Sequence, residues 1–440
     1  MASMKRRTAA RVALAILLPV ISVATMLPAA LPASADDIRN REYWLDDYGV
    51  TTAWQSSKGA GVKVAVIDSG VDGTHPDLAG AVVGGTDVSG AGSADGLKGI
   101  GAKPEHGTLV ASLLAGRWHG GKPEDSPKPD GVVGVAPEAQ LLAVSTWLGS
   151  ANPAGKGIDE QIPAAVRWAV DAGARVINMS LSSSSVEWPQ SWDDAFLYAE
   201  QHDVVIVAAA GNNGSGQIQV GAPATIPGVL TVAGLDRTGA VSLSSSTAGI
   251  SIAVAAAAEK LVGALPGNNY ADWDGSSGAA PIVSGIAALI RSKYPGMSAA
   301  QVINRIIKTA KPKGEGQPNN LYGWGVVDAN AALNGDVPLV TVNPLTLDGG
   351  TLEQWIKIHR RGDTPPPSTK PPAPPTTAAP TLPEAATPAA APPSQLDAGL
   401  PAALVLGFGG LLVLIIIGAV VHLLVLRRKL LAKSGPSNTS

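Results

Sequence analysis

At 440 residues, 45% hydrophobic and only 15% charged, the chain is long enough for one large globular domain with appendages and too apolar to be disordered. A net charge of −3 carries no basic excess, which sets nucleic-acid partners aside. The absence of cysteine excludes thiol catalysis, disulfides and cysteine-bound zinc.

From the amino end, Lys5, Arg6, Arg7 and Arg11 lead into an apolar stretch at 12–27, and Ala33-Ser34-Ala35 offers small residues for cleavage. This is the pattern of a secretory signal over 1–35, leaving Asp36 as the new terminus. An uncleaved anchor is the alternative, but Pro19 and Pro28 interrupt it. After an extension at 36–60, residues 61–335 alternate short apolar runs with helical segments. The runs at 62–67, 141–145, 175–179, 204–209 and 229–233 read as buried strands. Between the second and third, Ile162, Ala165, Val166, Ala169 and Val170 recur at helical spacing, predicting a helix over 158–172. The expected fold class is α/β, a parallel sheet flanked by helices on both faces. Glycine-rich polar stretches at 84–103 and 116–130 read as surface loops.

Residues 336–398 connect this domain to the apolar C-terminal segment. Within them 364–393 is dominated by Pro, Ala and Thr, which cannot bury a core and reads as an extended stalk. The apolar run at 400–426 then suffices to cross about 30 Å of hydrocarbon, predicting a C-terminal transmembrane helix at 399–427. Arg427, Arg428 and Lys429 come at once after it, favouring a cytoplasmic tail at 428–440 and an extracytoplasmic body. His422 inside the run reads as a neutral side chain near the cytoplasmic edge. A wall-sorting signal is the alternative, but Leu382-Pro383-Glu384-Ala385 has Ala where such a site has Thr.

Four segments carry chemistry. Val64-Ala65-Val66-Ile67-Asp68-Ser69-Gly70 puts an acid at the carboxyl end of a buried strand, where open parallel sheets bind ligands. A carboxylate there suits the orientation of an imidazole, or is a plain turn residue. His106-Gly107-Thr108 opens an apolar helix, whereas His75 and His119 lie in polar turns and His202 precedes a strand, places that suit local roles. In Gly275-Ser276-Ser277-Gly278-Ala279-Ala280-Pro281, small residues admit substrate to a serine at the positive end of a helix, with Pro281 expected in the first turn. Either serine also suits a helix cap. Finally, Gly211-Asn212 ends a buried strand, so that Asn212 either donates to an oxyanion or occupies a turn.

The order Asp, His, Ser on an α/β domain resembles the subtilisin-like proteases. The resemblance extends over roughly 44–333 and includes Gly134-Val135-Ala136-Pro137, Val176-Ile177-Asn178-Met179-Ser180-Leu181 and Gly323-Trp324-Gly325. It implies a serine endopeptidase with Asp68, His106 and Ser277 as catalytic triad and Asn212 in the oxyanion hole. Ser180, Leu181, Ser182, Ala209, Ala210 and Gly211 would line the substrate cleft. The chain departs from the family at Ser276 (usually Thr), Gly278 (usually Met or Phe) and Ser182 (usually Gly), and Ala255 to Ala258 lack the usual Pro-Gly. The segment after Asp36, including Tyr43, Trp44 and Trp54, is too short for the folding prodomain of secreted subtilisins. It resembles instead the N-terminal extension of mycosins, the membrane-anchored subtilases of type VII secretion.

That resemblance implies protein or peptide substrates, a type VII secretion membrane complex as partner, and a single-pass protein of the cell membrane. No cofactor and no metal are expected; Glu124, Asp125 and Asp130 form no ligand loop. Two other readings stand beside it, a general cell-surface subtilase and a mainly structural secretion subunit with little turnover.

Overall fold

The computed structural model describes residues 35–119, 130–346 and 350–360. A seven-stranded parallel sheet forms the centre. Its strands are β1 (Lys63–Asp68), β2 (Val82–Asp87), β5 (Gln140–Ser145), β6 (Val176–Met179), β7 (Val205–Ala209), β8 (Leu230–Leu235) and β9 (Ile252–Ala257), in the order β2-β5-β1-β6-β7-β8-β9. Two small antiparallel pairs lie apart from it, β3 (Arg117–His119) with β4 (Asp130–Val133) and β10 (Leu261–Leu265) with β11 (Asn269–Trp273).

Alternation along the strands divides the interior into two cores. Val64 and Val66 of β1 face one core with Val176, Val205 and Val207. Helices α2 (His106–Ala115) and α5 (Ser276–Lys293) cover that face, with α6 (Ala299–Lys308) beside them. Ala65 and Ile67 face the other core with Ile177 and Ile206, beneath α3 (Ile158–Asp171) and α4 (Asp193–Gln201). Because both faces are buried, the strands read as continuous apolar runs. The five anticipated strands and the helix α3 are all present, with ends moved by one or two residues.

Two expected loops are partly strand. The stretch 84–103 begins inside β2, where glycine is needed: a Cβ on Gly85 would lie 2.5 Å from the Ala143 carbonyl of β5 and 2.1 Å from that of Asp95. The stretch 116–130 contains β3 and the start of β4, while 120–129 lie outside the described residues. The alanines 255–257 belong to β9, and Ala258 accepts a hydrogen bond from the Gly275 N–H (2.7 Å) just before α5.

Sheet order positions the site. The chain leaves β5 on one side of β1 and returns as β6 on the other, which opens a crevice at the carboxyl end of β1. Val66 pairs with Asn178 and Asn178 with Val207, so β1, β6 and β7 end close together.

The extension packs on the body through α1 (Ala35–Arg41) and two short turns, Trp44–Asp47 and Val50–Ala53. Trp44 is fully buried, Trp54 Nε1 donates to the Val135 carbonyl (2.8 Å), and buried Glu42 accepts from the Val133 N–H (2.8 Å). At the other end α7 (Leu352–His359) begins with a capping box, Thr351 with Gln354, and packs Trp355 against Trp188 with ring centroids 4.5 Å apart and planes tilted by 34°. Among the described residues no helix is long and apolar enough to cross a membrane. The signal, the stalk and the apolar run at 399–427 lie outside the described residues apart from Ala35.

Candidate active site

Asp68, the last residue of β1, is completely buried, and its Oδ1 accepts the Ser69 N–H at 2.7 Å. His106, the first residue of α2, brings Nδ1 to 2.9 and 3.1 Å from the two Asp68 oxygens. Burial works against the imidazolium, but the charge and hydrogen bond of Asp68 outweigh it and hold the pKa of His106 above its ordinary value. Glycines bring the two segments together: a Cβ on Gly107 would lie 2.2 Å from the Gly70 carbonyl. The Gly107 N–H donates to Ser69 Oγ (2.9 Å), locking the start of the helix onto the end of the strand.

Ser277 is the second residue of α5. Pro281 lies inside this helix, beyond the expected first turn, and its missing N–H leaves the Ser277 carbonyl without its helical partner. Ser180 Oγ supplies one, donating to that carbonyl at 2.7 Å. Ser180 is held by Asn178 Nδ2 (2.9 Å), whose Oδ1 accepts from Ser284 Oγ (2.9 Å), so the buried chain is satisfied from sheet to helix. The Ser277 hydroxyl donates to the Ser180 carbonyl at 3.1 Å and makes no hydrogen bond to the imidazole. Unliganded sites often keep such catalytic contacts loose.

Asn212 is oriented by Ser276, whose N–H (2.8 Å) and Oγ (3.0 Å) both donate to Asn212 Oδ1. The single hydroxyl proton of Ser276 is shared with the Gly211 carbonyl, also at 3.0 Å, and the Gly211 N–H donates to Ser276 Oγ at 3.1 Å. With Oδ1 occupied, Nδ2 is the end of the amide left for a ligand. Ser276, where the family usually has Thr, thus supplies through its N–H and hydroxyl the contacts that orient Asn212. The sequence signal for it was a hydroxyl residue beside the serine.

These groups face one cleft of about 600 Å³, whose wall includes Ser180, Leu181, Ser182 and Asn212. Leu148, Ile158, Ile162 and Trp192 add apolar surface to its lining. Ala209, Ala210 and Gly211 are buried behind Asn212 rather than in the open wall. Two residues that sequence reasoning passed over are also present. Trp273 stands edge-on to His106 (centroids 5.9 Å, 79°), and its Cη2 lies 3.3 Å from where a Cβ on Gly278 would be. Gln217 bonds to both sides of the cleft. No sequence motif marks either residue.

The other described histidines lie outside this cleft, and two of them bond to distant segments, His75 to the Asn269 carbonyl (3.2 Å) and His119 to Asp77, rather than serving only their own turns. Buried His75 accepts the Asp77 N–H (3.1 Å), His119 pairs with Asp77 (2.6 Å) and His202 contacts the Tyr198 carbonyl (2.8 Å). Among the described residues no three His, Asp or Glu side chains converge in a way that holds a metal. Glu124 and Asp125 lie outside them.

A carboxylate, an imidazole, a hydroxyl at a helix start and an oriented amide on one cleft are the parts of acyl transfer. The sequence profile described as Subtilase family matches residues 59–325. The chain belongs to the subtilase family. It is a subtilisin-like serine protease related to mycosins: Mycosin-1 of Mycobacterium tuberculosis is 36% identical over 347 residues, covering 67% of this chain and 74% of that one. Fervidolysin of Fervidobacterium pennivorans is 33% identical, and the match covers 69% of this chain but spans only 45% of fervidolysin. Among solved structures, MycP3 protease from the type VII (ESX-3) secretion system matches with a TM-score of 0.55 and 33% identity, over 70% of this chain and 91% of that one.

Proposed function

We propose that this subtilase is a membrane-anchored serine endopeptidase of type VII secretion that cleaves selected exported proteins. Asp68, His106 and Ser277 act as its triad. Ser277 Oγ attacks the scissile carbonyl while its proton passes to His106 Nε2. Asp68 holds the imidazole by Nδ1 and stabilises its cation. The oxyanion is met by Asn212 Nδ2 and the Ser277 N–H at the start of α5. As the C–N bond breaks, the imidazolium returns the proton to the leaving amine, and water then hydrolyses the acyl-serine. The observation that carries this reading is the double hold of Ser276 on Asn212 Oδ1, which orients a donor toward the cleft beside Ser277.

The secretion role is supported by the likeness to Mycosin-1 and MycP3. Membrane anchoring and an extracytoplasmic body rest on the apolar run at 399–427 and the basic residues after it. A mainly structural role is the second reading, favoured by the Ser277 hydroxyl resting on Ser180 rather than on the imidazole. Ser277→Ala is expected to abolish peptide cleavage and labelling by a fluorophosphonate. Wild-type protein that resists the label yet supports secretion would establish the structural role instead.

A further inference from the structure

Gln217 lies in the segment after the Gly211-Asn212 turn, and its carboxamide bonds to both sides of the cleft. Oε1 accepts the Asn212 N–H at 2.8 Å, and Nε2 donates to the Ser183 carbonyl at 2.9 Å and the Ser182 carbonyl at 3.1 Å. The carboxamide lies against Gly211. A Cβ there would come within 2.5 Å of Gln217 Oε1 and 3.1 Å of Ser182 Oγ, and φ is +103°. Ser182, Ser183 and Asn212 line the open cleft, and Gln217 is hydrogen-bonded to all three.

The carbonyl attacked by Ser277 turns its oxygen toward Asn212. The side chain on the acyl half of the scissile bond, next to that carbonyl, must then enter between the Ser180–Ser183 and Gly211–Asn212 segments. Gln217 spans that gap with three hydrogen bonds, and Ser182 Oγ narrows it further. A large side chain would have to displace the carboxamide and leave the Asn212 N–H and the Ser182 carbonyl without a partner, whereas hydrogen, methyl or hydroxymethyl is small enough to leave it in place.

We propose that Gln217 is a specificity-determining residue that restricts cleavage to bonds following Gly, Ala or Ser. This deepens the protease reading and rests on Ser277 as the nucleophile, which fluorophosphonate labelling checks independently of the side chain recognised.

The test measures kcat/KM of the full chain in detergent on peptides differing only at the residue before the scissile bond. Wild-type protein is expected to favour Ala over Leu and Phe by about 10-fold or more. Gln217→Ala and Ser182→Gly are each expected to raise kcat/KM for Leu and Phe relative to Ala. Wild-type protein that labels normally and cleaves after Phe as well as after Ala overturns the proposal, however the variants fold. So does a folded Gln217→Ala protein with an unchanged profile. Loss of labelling in wild-type protein would overturn the protease reading instead.

Discussion

At the scale of single residues, the site depends on contacts with unequal visibility in sequence. The proposed mechanism needs a neutral imidazole, and Asp68 holds the His106 pKa above its ordinary value, so activity is lost as pH falls through that raised value. The acid limb of kcat/KM is therefore expected above about pH 6.5. In Asp68→Asn it should move to lower pH, with kcat reduced by about 10⁴. A pH–rate profile of both proteins checks this, and an unmoved limb would dissociate it from His106. The residues of the proposed triad stood out because each sits among glycines, and Gly107 against Gly70 shows why one of these is needed. Gln217 and Trp273 were not. Their roles arise from side-chain directions across the cleft, which no local pattern encodes.

At the scale of elements, sequence revealed strands wherever both faces are buried in branched aliphatics, as in β1, β6 and β7. It missed β2 with Gly84 and Gly85, and β9 with Ala253 and Ala255 to Ala257, because weak β formers hold these strands by position rather than propensity. Pro281 was misplaced because the start of α5 is visible only in the backbone, and its freed carbonyl is answered from a different element. The docking of α1 was equally hidden, since it relies on a buried acid. Glu42 Oε1 accepts from Val133, while Oε2 is buried without a hydrogen-bond partner among the described residues and lies 3.8 Å from Arg39. Burial is the largest influence and raises the Glu42 pKa well above its ordinary value, with Arg39 and the Val133 N–H opposing. The folded chain thus holds this proton more tightly than the unfolded one. The resulting stability is complete below about pH 4.3 and lost as pH rises through the raised pKa. Glu42→Gln keeps an acceptor for Val133 without the charge. Its Tm should exceed that of the wild type at pH 7 by a few degrees and approach it at pH 4. Thermal melts at the two pH values decide it, and equal Tm values at pH 7 would show Glu42 to be adequately solvated.

For the whole molecule, the described body runs to Arg360, whose guanidinium donates to the Trp188 carbonyl at 2.7 Å. A chain ending there is expected to fold, to cleave peptides as the full chain does and to move from the membrane to the soluble fraction. Retained membrane association would remove the proposed anchor at 399–427. Within the body, Val66, Asn178 and Val207 share one rung of the sheet, and Asp68, Ser180 and Ala209 each follow that rung by two residues along their own chain segments. Neighbouring strands are spaced by about 4.8 Å in any sheet. Asp68, the residue whose hydroxyl holds the Ser277 carbonyl and the strand leading to Asn212 are thus marked off along a ruler calibrated by main-chain hydrogen bonds. Substitutions on either face of the sheet leave its graduations in place. Inserting or deleting a single residue in β1, β6 or β7 would move a mark.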